Sequence, residues 1–172
     1  MLTRILSFGF LLLMSYSLHS QQNAQTVLWN ETLKSEDCAN RIEVITYAKN
    51  YLGTTYRYAG NDPKTGFDCS GFVHFVFAQF GIQLPRSSGE YLFLGTPLKP
   101  EEFRVGDVLV FYGYMDNASI GHVGIVCEAS GMNSKFIHAT SGKAYGVTIS
   151  ELNSEMYTRR FYKCINVMDL SR

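Results

Sequence analysis

Cys69 stands between an acid and a hydroxyl in "FDCSGFV", residues 67–73, at the head of a run of large apolar side chains. Phe72, Val73, Val76, Phe77 and Phe80 follow at three- and four-residue steps, and Gly81 ends the run. A buried helix beginning near Asp68 or Cys69 is therefore expected. A cysteine at a helix N-terminus faces unpaired N–H groups and the positive end of the macrodipole, and both favour the thiolate. Asp68 opposes this electrostatically; it could cap the helix or bind a cationic group of a substrate. Position alone leaves Cys69 open as a nucleophile, a staple, a metal ligand or a small buried apolar residue.

A thiolate catalyst needs a base that also donates protons, and histidine is the usual one. Besides His19 the chain has His74, His122 and His138. His74 lies five positions after Cys69 on the expected helix, turned away from its start, and reads as a structural or surface histidine. His122 opens the strand-like "HVGIV" directly after Gly121. A strand start at a sheet rim is where a base can meet a helix N-terminus packed on that sheet. His138, inside "FIHAT", needs a polar partner if buried. His122 could be that partner, in a relay where the third residue orients the base.

The elements that would position these groups are legible as periodicity. "ANRIEVITYAKNYLG" carries Ile42, Ile45, Ala48 and Leu52 at helical spacing, with Gly53 suited to the cap. "TYRYAG" reads as a short strand or extended turn and "NDPKTG" as a loop. After a turn at Pro85, a short helix from the serines is expected. Strands are expected over 108–112, 121–128 and 135–140, and in "GVTISELN" and "RRFYKCINVM". Helices first and closely spaced strands later imply an α+β class, with N-terminal helices on one face of an antiparallel sheet of about five strands.

Bulk properties restrict the function classes. The 172 residues, 46% hydrophobic, suffice for one cored domain. Zero formal net charge argues against a general nucleic-acid binder. Residues 1–20 have a basic start at Arg4, an apolar stretch from Ile5 to Met14 and a serine-rich end, the layout of a secretory signal peptide. That apolar stretch is about half the roughly 20 residues a membrane span needs. Residues 21–40 read as a mobile polar lead-in and 41–168 as the domain. Export permits disulfides, and a bridge between Cys38 and Cys164 would tie the termini to the domain. With no Cys-x-x-Cys pattern, a zinc or redox site is poorly supported; Cys127 reads as buried.

Five blocks in order, "DCSGFV", "LPRSS", "VGDVLVFY", "GHVGIV" and "FIHAT", resemble the NlpC family of bacterial cell-wall cysteine peptidases, over about residues 42–163. The resemblance implies a compact papain-like fold. It implies Cys69 as nucleophile, His122 as base and His138 as the residue that orients it. It also implies Tyr56 beside the nucleophile, contacting substrate or the developing oxyanion, with Tyr58 as the rival. Asp68, Ser70, Arg86 and Ser87 match positions along the substrate groove. The implied reaction is hydrolysis of a peptidoglycan stem peptide, at γ-D-glutamyl–diaminopimelate or D-alanyl–diaminopimelate, by a monomer in a bacterial periplasm or outside the cell. No metal, cofactor, nucleic acid or transmembrane span is implied. Two departures stand out: a glutamine common after the second block falls near Tyr91, and a wall-binding SH3-like module carried by many relatives has no room here. A wall-binding module without turnover, and an amidase or transferase acting on another exported amide, are the competing readings.

Overall fold

The computed structural model describes residues 2–114 and 118–171. The chain divides into two units, Met1–Asn40 and Arg41–Arg172. The first helix, α1, runs over Leu2–Lys49 and supplies residues 41–49 to the second unit. Residues 21–40, expected as an irregular lead-in, are therefore helical. No glycine or proline occurs between Gly9 and Gly53, so nothing in that span breaks the i→i+4 ladder. Among the described residues no helix is long and apolar enough to cross a membrane.

The second unit holds the site. Within it Arg41, Val44, Ile45 and Ala48 form the buried face of α1, while Ile42 and Leu52, expected in the core, are exposed. A tight ribbon of β1 (Asn61–Asp62) and β2 (Gly66–Phe67) turns through the stretch expected as a plain loop. Helix α2 follows at Cys69–Ala78. A 3-10 turn at Ser88–Leu92 starts from Ser87, whose N–H is accepted by Glu90 at 3.1 Å. Then come β3 (Val108–Tyr112), β4 (Ile120–Glu128), β5 (Lys135–Thr140), β6 (Gly146–Glu151), the six-residue helix α3 (Glu155–Arg160) and β7 (Phe161–Ile165). Strands β3 to β7 form one antiparallel sheet in the order β6-β5-β4-β3-β7.

The period of two along each strand sorts side chains between two clusters. Val108, Val110, Val123, Ile125, Ile137 and Ala139 pack with Phe72, Val73, Val76 and Phe77 of α2. Leu109, Phe111, Val126, Phe136 and Cys164 pack with Tyr157 of α3. Helices thus cover both faces, where only one was expected. Helix α3 is too short to carry a periodic signature, and its arginines run straight into a strand. Cys38 and Cys164 are free thiols, so the expected bridge is absent; Cys164 is wholly enclosed in the second cluster and Cys38 is exposed.

One ion pair ties helix to sheet. The Arg41 guanidinium donates to Asp107 Oδ1 at 2.8 Å, Val105 O at 3.0 Å and Asn166 Oδ1 at 2.8 Å. Asp107 Oδ2 accepts the Arg104 N–H at 2.7 Å. Burial pushes the Asp107 carboxyl up against the pull of these donors. Removing one partner of such a pair leaves an uncompensated buried charge. Asp107→Ala is expected to lower the unfolding free energy by about 3–5 kcal/mol in urea titration. Ile42→Ala, on the exposed side of the same helix, should change it by less than about 0.5 kcal/mol.

Candidate active site

Asp68 is the N-cap of α2: its backbone is extended, and its Oδ1 accepts the Gly71 N–H at 2.6 Å. Gly71 has no substitute here, since a Cβ would lie 2.0 Å from the Gly60 carbonyl oxygen. That carbonyl accepts the Asp68 N–H at 3.0 Å and Arg86 Nη2 at 3.2 Å. The turn before the helix and the loop after it are thereby joined at one oxygen, and Cys69 becomes the first helical residue.

Cys69 is half-buried, with Sγ 4.0 Å from Gly121 O at the head of β4. Burial pushes its thiol up, and Asp68 adds to this. The N–H groups of Val123, Ser70 and Cys69 itself pull the other way without reversing it. The helix N-terminus is therefore not enough to make a resting thiolate, contrary to what its position suggested. A base must complete the task.

A candidate base, His122, lines one cavity with Cys69. His122 and His138 lie on the sheet face opposite α2, beside Phe111, Phe136 and Tyr157. His122 Nε2 is 2.8 Å from His138 Nδ1. His138 Nε2 is 2.9 Å from Ser150 Oγ and 3.4 Å from the Tyr157 hydroxyl. Gly124 permits this packing: a Cβ there would meet Phe136 Cδ2 at 2.5 Å and His138 Cβ at 3.0 Å. Burial drives both rings toward the neutral form. His122 is held well below the ordinary histidine range by burial, then by His138 and Arg160. His138 is lowered to about 3 by burial and Arg160. Since His122 Nε2 is engaged, Nδ1 is the nitrogen left for the thiol.

Two cavities flank Cys69 and share Tyr56, Cys69 and Gly121. One, of about 420 Å³, also holds Tyr58, Asp68, Ser70, Arg86 and Ser87. The structure thus gathers every expected groove residue on one side. Tyr56 touches both cavities; its rival Tyr58 is 86% exposed. Asp68 and Arg86 pair with each other through two 2.9 Å contacts, so neither offers a substrate its full charge. The other cavity, of about 450 Å³, includes His122, Thr140, Met156, Tyr157 and Arg160. The last four, and Ser150 behind His138, were not expected: Thr140 ends the "FIHAT" block without having been singled out, and the others lie outside the five blocks. His74 is structural, its Nδ1 2.7 Å from Leu84 O. Tyr91, where a glutamine was awaited, is fully buried, and its hydroxyl has no hydrogen-bond partner among the described residues. Residues 115–117, within the loop before His122, lie outside the described residues.

A model of the NlpC/P60 family matches residues 53–166. The chain is 35% identical over 117 residues to the gamma-DL-glutamyl hydrolase of Bacillus subtilis, a match of 66% of this chain and 26% of that protein. It is 32% identical over 154 residues to murein DD-endopeptidase MepS/murein LD-carboxypeptidase of Escherichia coli K12, covering 88% of this chain and 72% of that one. Among solved structures, an NlpC/P60 family protein from Bacillus cereus superposes with a TM-score of 0.64 at 29% identity, over 73% of this chain and 39% of that one. The chain thus spans about a quarter of the Bacillus subtilis relative and most of the Escherichia coli one.

The buried imidazoles make stability pH-dependent in a calculable direction. His138 titrates near 6.5 when unfolded and near 3 when folded, so below 6.5 the unfolded chain binds more protons. Its contribution is complete above 6.5 and is lost as the pH falls through that window, by up to about 1.4 kcal/mol per pH unit. Urea unfolding from about pH 7 to about pH 5 should show a shallower loss in His138→Gln than in the unmutated protein.

Proposed function

The chain belongs to the NlpC/P60 family, and we propose that it is an exported cysteine peptidase that hydrolyses an amide bond in a peptidoglycan stem peptide. The observation that carries this reading is the engaged imidazole pair, His122 Nε2 to His138 Nδ1 at 2.8 Å, at the rim where α2 presents Cys69. The names of the relatives, a murein endopeptidase and a glutamyl hydrolase, point to the same class of bond. The scissile bond is γ-D-glutamyl–diaminopimelate or D-alanyl–diaminopimelate. Residues 1–20 act as the export signal, residues 21–40 lead into the peptidase domain at 41–168, and the protein works as a monomer on the wall.

One tautomer of the pair gives a complete proton path. With its own proton on Nε2, donated to Ser150 Oγ, His138 accepts at Nδ1 from His122. In that tautomer His122 carries its proton on Nε2 and a free lone pair on Nδ1. Cys69 Sγ gives its proton to that nitrogen and attacks the scissile carbonyl carbon. The oxyanion is held by the Cys69 N–H at the start of α2, with the Tyr56 hydroxyl beside it. The imidazolium returns its proton to the leaving nitrogen, the amine departs, and a thioester remains. His122 then deprotonates a water that attacks the thioester carbonyl, which releases the acid and restores the thiol. The paired Asp68 and Arg86, with Ser70 and Ser87, line the groove on the acyl side.

Incubation of the protein with muropeptides of known structure, read by mass spectrometry, should yield new fragments that name the bond, and none with Cys69→Ala. Fragments from Cys69→Ala would refute the reading. Ser150→Ala should lower kcat by about tenfold with KM little changed, because it frees the wrong His138 tautomer without touching substrate.

A further inference from the structure

Two buried arginines and one half-buried arginine in the described part of the second unit can be compared by their partners. Arg41 meets Asp107, and Arg86 meets Asp68. Arg160, the last residue of α3, is 8% exposed and forms no ion pair with any carboxylate among the described residues. Its Nε donates to Tyr112 O at 2.9 Å, and its guanidinium carbon lies 5.7 Å from the centre of the Tyr114 ring. These contacts hold the group at one edge; its terminal nitrogens make no hydrogen bond among the described residues, and Arg160 lines the 450 Å³ cavity, where no described lining residue is a carboxylate. An enclosed, uncompensated cation is costly, and nothing in the packing of α3 requires one. An arginine held at Nε with two free parallel donors is shaped for one carboxylate.

The position of this cavity identifies which half of a substrate enters it. His122, which must protonate the departing amine, lines the Arg160 cavity and not the one built around Asp68 and Arg86. The leaving group therefore lies on the Arg160 side of Cys69. A residue such as diaminopimelate, leaving through one amine, still carries carboxylates. We propose that Arg160 forms a carboxylate-binding site for the leaving-group half of the substrate, and so selects leaving residues that bear a free acid. This rests on the cysteine-peptidase reading for the direction of the substrate but not for the existence of the site. It also gives the arginine a chemical consequence. Its charge is one of the causes that hold His122 low, and a bound carboxylate would offset it just when His122 must carry a proton.

The test uses two readouts on the full chain. In the first, Cys69 is alkylated with iodoacetamide in the presence of diaminopimelic acid or its diamide. The acid should protect at a concentration at least about tenfold lower than the diamide, as a charge-assisted bidentate contact would give. Arg160→Gln should erase the difference and Arg160→Lys should keep part of it; circular dichroism checks that each variant folds. Should Arg160→Gln not fold, Arg160→Lys and the acid–diamide comparison in the unmutated protein decide. Equal protection by acid and diamide, no protection by the acid, or a difference that survives in Arg160→Gln would overturn the site. In the second, muropeptides with a free or an amidated carboxylate on the leaving residue are compared, and the free acid should be cut at least about tenfold faster. Discrimination between the ligands without cleavage of any muropeptide keeps the carboxylate site and removes the peptidase reading. Cleavage of both muropeptides at one rate, with equal protection, does the reverse.

Discussion

Two buried imidazoles that share one proton between them set the terms for the rest of this site. Neither ring carries a carboxylate partner among the described residues; burial is the largest influence on each and holds it in the uncharged form. A pair of that kind is directional only if its far end is anchored, and Ser150 Oγ supplies the anchor at 2.9 Å. The Tyr157 hydroxyl closes the same pocket, with the Ser150 and Thr140 hydroxyls drawn up to it. The arrangement requires β4 and β5 to approach closely, which the missing side chain at Gly124 permits. It also requires β4 to lie inside the sheet, between β5 and β3, so that its head reaches α2 while its opposite face reaches α3. The sheet order, the glycine and the short second helix layer are thus consequences of one hydrogen bond as much as of core packing.

The charges around Cys69 follow a second rule. Two of the arginines are neutralised by acids. Arg41 is matched by Asp107 inside the core, and Arg86 by Asp68 at the mouth of one cavity. The Asp68–Arg86 pair does structural work first. It caps α2, engages the Gly60 carbonyl and fixes the angle at which the helix presents its first residue. An acid next to a catalytic cysteine would otherwise hinder the thiolate; held by an arginine and a backbone N–H, its field is reduced. That is how "DCS" can place a carboxylate beside a cysteine at the head of a helix.

Much of this was legible in the sequence where the signal is periodic or local. The three- and four-residue spacing from Phe72 to Phe80 located α2, and the Asp68 side chain marked its start. The strands at 108–112 and 135–140 stand at their expected bounds. What was not legible depends on contacts between elements. Ile42 has helical spacing but faces outward, because the stripe that packs is the one carrying Arg41, Val44, Ile45 and Ala48. Arginine does not read as a core residue until its acid, 66 positions later, is known to lie opposite. Helix α3 spans six residues, less than two turns, so no moment can emerge from it, yet it delivers Tyr157 and Arg160 to the site. Ser150 reads as one polar position in a strand, and its role depends wholly on which ring β5 places across from it.

The Cys69 thiol and the imidazole pair rest uncharged. Burial keeps the thiol protonated, and burial keeps the base unprotonated. Charge separation between two groups this buried is unfavourable unless something stabilises it; the described residues offer backbone N–H groups to the thiolate, while the Arg160 cation disfavours the imidazolium. A substrate alters this balance. Its carbonyl oxygen gives the helix N-terminus an anion to hold in the transition state, and its departing nitrogen gives the imidazolium a place to discharge. The charged form of the site is therefore favoured by what a substrate brings, and the resting Cys69 thiol stays in its less nucleophilic, protonated form.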